Sequence, residues 1–114
     1  MAYLKTFSGQ ILLKIDGYYV KEFNGTIRYV IKDNKVTDFS GRILYVIDGE
    51  YIKEFSGRIL LKVSGDYIKE FSGSIIAKID DSYIKDFCGT IKYKIDGFLS
   101  RRELMCLIAI LYAV

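Results

Sequence analysis

The side chains of this chain that could do chemistry recur at an interval of sixteen residues. Glu22, Asp38, Glu54, Glu70 and Asp86 occupy one position of the period, and Asp16, Asp48, Asp80 and Asp96 occupy another. A ring of aspartates at one rim is an arrangement that could hold Ca²⁺ through carboxylate oxygens. Those aspartates stand where tight turns belong, however, and aspartate favours turns through its own backbone hydrogen bonds. They therefore read as turn formers, and no metal is expected. Histidine is absent, which removes the commonest general base and the commonest transition-metal ligand. There is no Cys-x-x-Cys pair, phosphate-cradling glycine loop, nucleophile elbow or dinucleotide fingerprint. Cys88 is the one reactive side chain on a turn, and no neighbouring group is identifiable as its activator. The expectation is a protein without catalytic residues or cofactor, and not an enzyme.

Tyrosine and lysine offer a better lead. If Ser64-Gly65 and its counterparts are two-residue loops, Lys62 faces Tyr67 across the hairpin. The other turn places Tyr51 near Lys62, and the row continues through Lys78, Tyr83 and Lys94. Lys53, Lys69 and Lys85 form a second stripe on the same face. Such rows suit phosphate-bearing head groups, which are held by charge-assisted hydrogen bonds and interfacial aromatic packing. The competing reading is that lysine stems merely cover tyrosine rings, giving cross-strand pairs of roughly 0.2–1 kcal/mol each. Two departures stand out. Lys35 replaces the first-position tyrosine of the third copy, and Val30 and Val46 replace the usual lysine. That sector is less basic and more apolar, as a surface for a partner or a second copy would be. A net charge of +3 permits an anionic partner but lacks the dense basic patch of a nucleic-acid binder.

The elements that must position these groups follow from the repeat. Six copies of a sixteen-residue phrase run from Tyr3 to Phe98 without insertion or deletion, the fourth being Y-I-K-E-F-S-G-R-I-L-L-K-V-S-G-D from Tyr51 to Asp66. A fixed period lets every copy make the same neighbour contacts, so the repeat is the architecture. Each copy has two short apolar-rich runs divided by Phe-Ser-Gly and Asp-Gly turns or close variants, which predicts two antiparallel strands per copy and about twelve in a meander. Alternation puts Ile59, Leu61, Val63 and Ile52 on a packed face, and Tyr51, Lys53, Arg58, Leu60 and Lys62 on the other. Phe55 lies outside if its loop has two residues. A three-residue loop with Gly57 in a bulge, the reading favoured here, would swing the ring over the rim of the core.

After Gly97 the period ends. Ser100-Arg101-Arg102-Glu103 is a capping box, and Leu104 to Val114 carries no charge. A helix apolar on all sides needs burial on all sides. The run is far shorter than the roughly 20 residues of a membrane span, so no transmembrane segment is expected. About twelve strands tilted near 40° enclose a channel roughly 12 Å wide once inward side chains are counted, which matches the width of a helix. The expectation is one domain. Residues 3–98 form a closed antiparallel meander barrel, mainly β, and residues 99–114 a core helix from about Arg101 to Tyr112 threading its interior. Ala77, in place of the usual tyrosine or leucine, makes room for part of that helix. A solenoid would need wider turns, and an open sheet would leave two bare edges and a naked helix.

In strand number and terminal apolar helix the chain resembles the tubby-like family, which includes plant LURP-one-related proteins and phospholipid scramblases. The resemblance covers residues 3–114 as architecture, implies a barrel wrapped around a C-terminal helix, and carries over no site residue. Two unpaired cysteines and a start without an apolar leader point to the cytoplasm. The functional expectation is a non-catalytic interaction barrel whose outer face binds anionic lipid head groups or a protein. The alternative is a structural or self-associating repeat protein with no small ligand.

Overall fold

The computed structural model describes residues 2–113. Twelve strands run in chain order: β1 (Ala2–Thr6), β2 (Ile11–Asp16), β3 (Tyr19–Glu22), β4 (Ile27–Lys32), β5 (Lys35–Asp38), β6 (Ile43–Asp48), β7 (Tyr51–Glu54), β8 (Ile59–Ser64), β9 (Tyr67–Glu70), β10 (Ile75–Asp80), β11 (Tyr83–Asp86) and β12 (Ile91–Gly97). One helix, α1 (Arg101–Tyr112), follows. Each strand pairs antiparallel with the next, and β1 pairs with β12 from Ala2↔Gly97 to Thr6↔Tyr93, closing the sheet into a barrel without free edges.

Two kinds of turn alternate around the barrel. In the fourth copy the Gly57 amide donates to the Glu54 carbonyl at 3.0 Å and the Glu54 amide to the Arg58 carbonyl at 2.8 Å. This is the expected three-residue loop, with Gly57 at φ 98° in the conformation that only glycine adopts cheaply. It does not carry Phe55 over the core. The six phenylalanines of these turns are 71–78% exposed, because each ring sits on the first loop residue and projects from the tip. At the opposite rim the loops are Gly65-Asp66 and its counterparts, flanked by the pair Ser64↔Tyr67, so they lie one residue later than expected. Positive φ falls on the first loop residue, which is Gly65 at 61° but Asp33 at 55° and Asp81 at 58°.

A β-bulge in every copy corrects the face assignment. Ile52 faces Leu61, but Lys53 faces Ile59, leaving Leu60 as the extra residue. The same shift recurs between Leu4 and Lys5, Val20 and Lys21, Val36 and Thr37, Ile75 and Ala77, and Ile84 and Lys85. Beyond the bulge the alternation is out of phase, so Ile59 turns outward beside Lys53 while Leu60 turns toward the core. Ile27 and Ile75, expected in the core, are 37% and 43% exposed. Leu12, Leu60 and Ile76 pack against the core instead.

The core joins inward strand residues, including Leu4, Ile15, Ile31, Ile52, Leu61, Val63 and Ile68, to the helix. Met105 to Ile110 are six consecutive buried residues, which at about 100° per residue cover every side of α1. The helix begins with the expected capping box. The Glu103 amide donates to Ser100 Oγ at 3.2 Å, and the Ser100 amide to Glu103 Oε1 at 2.9 Å. Arg101 donates to the Gly65 carbonyl at 3.2 Å, tying the helix start to the β8–β9 turn. Tyr112 meets Tyr93 edge to face at 6.4 Å. Ala77 is fully buried in the same cluster.

Candidate functional site

The outer face is built from triplets of directly opposed residues. Tyr51 faces Lys62, which faces Lys69. Tyr67 faces Lys78, which faces Lys85. Tyr83 faces Lys94, which faces Lys5 across the seam. The expected contact between Lys62 and Tyr67 is not made, because the one-residue offset of the turn puts Lys69 opposite Lys62. The expected contact between Tyr51 and Lys62 is made, with the ammonium 5.7 Å from the ring centre, and Lys78 lies 5.8 Å from the Tyr67 ring. These distances suit cation–π attraction. Lys53 stands apart from the triplets, opposite Val46 and Ile59. Tyr19 faces Val30 and Lys35 faces Val46, so the less basic sector lies over β3–β6, across the second and third copies.

Counter-charge separates one triplet from the rest. Where the turn residue is aspartate, it neutralises the lysine of the second stripe. Lys5 pairs with Asp96, Lys53 with Asp48 and Lys85 with Asp80 at 2.7 Å each, and Lys21 with Asp16 at 3.4 Å. Hydrogen bonds from Lys85 and Lys5 hold the carboxyls of Asp80 and Asp96 below the usual carboxylate range. The equivalent of these aspartates in the fourth copy is Ser64. Among the described ion pairs Lys69 therefore has no carboxylate, and it stands directly opposite Lys62. Two like charges opposed across strands repel unless an anion sits between them.

A surface depression of about 280 Å³ lies over this pair, with Tyr51, Ile59, Lys62, Lys69, Glu70 and Phe71 in its lining. Outward rotation of Ile59 by the bulge supplies its apolar floor. A larger depression of about 440 Å³ at the other rim, between Tyr19, Val30, Lys32, Asp33 and Arg102, has the same balance of two cations to one carboxylate, but its lining holds no directly opposed lysine pair. The absence of aspartate at position 64 is legible by comparing the six copies. The opposition of Lys62 and Lys69 is not, since it depends on the turn's phase.

The two cysteines are unpaired. Cys88 is exposed and Cys106 buried, and burial pushes the Cys106 thiol up to about 11. Among the described residues no cluster of histidine, cysteine and carboxylate groups could hold a metal ion, and no helix is long and apolar enough to cross a membrane. The strands have four to seven residues and carry outward lysines, unlike the longer, apolar-banded strands of a membrane-spanning barrel. No family model, curated protein or solved structure matches the chain.

Proposed function

We propose that the protein is a non-catalytic interaction barrel that binds phosphate-bearing anions, of the kind carried by acidic lipid head groups, at Tyr51, Lys62 and Lys69. The observation that carries this reading is the loss of the turn aspartate at Ser64 beside an opposed lysine pair. Directly opposed cross-strand lysines can donate to two oxygens of one phosphate, and the Tyr51 ring offers an apolar wall. The less basic Val30–Val46 sector is the place for a protein contact. The likeness to tubby-like barrels supports an interaction role by architecture alone.

The same reading takes α1 as the filling of the barrel. Six successive buried residues on one helix require surroundings on every side, which a closed sheet wrapped around it would provide. Twelve helical residues span about 18 Å, comparable with the molecule's 21 Å short dimension. A filled barrel leaves no internal ligand cavity, so binding falls to the exterior.

Titration with inositol trisphosphate at low salt tests the anion site. The expected result is saturable binding that Ser64→Asp weakens roughly five- to tenfold, because a carboxylate restored about 4 Å from Lys69 contributes about 1 kcal/mol even in a water-like dielectric. Absence of binding, or equal binding by the variant, would sink the reading.

A further inference from the structure

We infer that the barrel docks on a lipid bilayer by the phenylalanine-bearing rim, with Phe55 and Phe71 leading on the side of the lysine pair. This rests in part on the anion reading above, and in part on the rim itself. All six Phe-type turns join an odd strand to the following even one, so in a closed meander they lie at one end. Phe55 is 71% and Phe71 74% exposed. Neighbouring tips are two strands apart, about 10 Å or more along the rim, too far for their rings to stack. A ring of isolated apolar tips is poorly matched to a rigid protein surface, whereas lipid acyl chains flow around each one.

Two further features favour a membrane. Backbone bonds close the base of each turn, from Gly57 to Glu54 and Glu54 to Arg58 in one tip and from Gly73 to Glu70 and Glu70 to Ser74 in the other. Such tips bring only the few apex amides and carbonyls into the headgroup region, where water and lipid head groups can bond them. Charge around these two tips is also predominantly positive. Arg58, Lys62 and Lys69 outnumber Glu54 and Glu70, and Glu54 is engaged by Arg58 at 3.7 Å and Ser56 at 3.2 Å. The Lys62–Lys69 depression reaches Phe71, so an inserted ring and a bound head-group phosphate belong to one contact.

The test is sedimentation of the full chain with vesicles of phosphatidylcholine containing phosphatidylserine, beside titration with inositol trisphosphate. The variant F55S/F71S changes only exposed rings, so its circular-dichroism melt should match the parent. The expected result is vesicle binding weakened at least tenfold in F55S/F71S with trisphosphate binding unchanged, and both lost in K62E/K69E. Vesicle binding equal in F55S/F71S and parent overturns the docking edge even where trisphosphate still binds. Phenylalanine-dependent vesicle binding without trisphosphate binding upholds the edge and removes the anion reading. A parent dimer that F55S/F71S converts to monomer, with no vesicle binding by either, overturns the proposal in favour of a second copy on the rim.

Discussion

Leu107→Ala is expected to destabilise the protein by about 2–5 kcal/mol, the usual range for truncating a fully buried leucine. Domains of this size have roughly 5–15 kcal/mol in total, so the loss is a large part of it. Leu107 belongs to one core cluster with residues of the sheet and of its own helix. Removing its side-chain methyls leaves a void that a closed barrel cannot easily collapse around, since each strand is held by two others. Equilibrium denaturation followed by the β-sheet signal gives the number directly. A single cooperative transition shifted to lower denaturant is expected, because barrel and helix share one core. A loss below about 1 kcal/mol would mean that the helix contributes little to the barrel.

Ile31→Ala and Ile27→Ala should differ sharply although both residues lie in β4, four positions apart, where simple alternation gives them the same face. Ile31 is 1% exposed, and its truncation should cost about 2–5 kcal/mol. Ile27 lies across the bulge from Lys21 and is 37% exposed, so its truncation should cost under about 1 kcal/mol. The comparison cancels composition, strand and copy, leaving only the bulge. Equal losses from the same denaturation measurement would contradict the register.

Much of this architecture was readable from residue order. The sixteen-residue period and paired turns lead to twelve strands because a local rule repeats six times, while one capping box and the uncharged tail lead to the helix at Arg101–Tyr112. What escaped reading was phase. A bulge adds one residue without altering the hydrophobic pattern, so Ile59 and Leu60 exchange faces, and nothing in I-L-L-K-V marks which isoleucine or leucine is the extra one. The same one-residue uncertainty at Ser64-Gly65 moved Lys62 from Tyr67 to Lys69 and so concealed the opposed lysines. Phe55 was misplaced for a related reason. The three-residue loop was expected to swing its ring over the core, but the ring sits on the first loop residue and projects from the tip.

The thiol of Cys106 tests most directly the central proposal, that the barrel is closed around its own helix. Cys106 lies mid-helix and fully buried, while Cys88 on an exposed turn supplies an internal reference in the same molecule. Labelling by a thiol reagent under native conditions should modify Cys88 at once. Cys106 should react only through an opening whose free energy equals that of global unfolding, since an enclosed helix cannot leave while the barrel stays closed. Labelling of Cys106 through a much smaller opening, with the β-sheet signal intact, would show a helix that detaches from a barrel folded without it and would contradict the account.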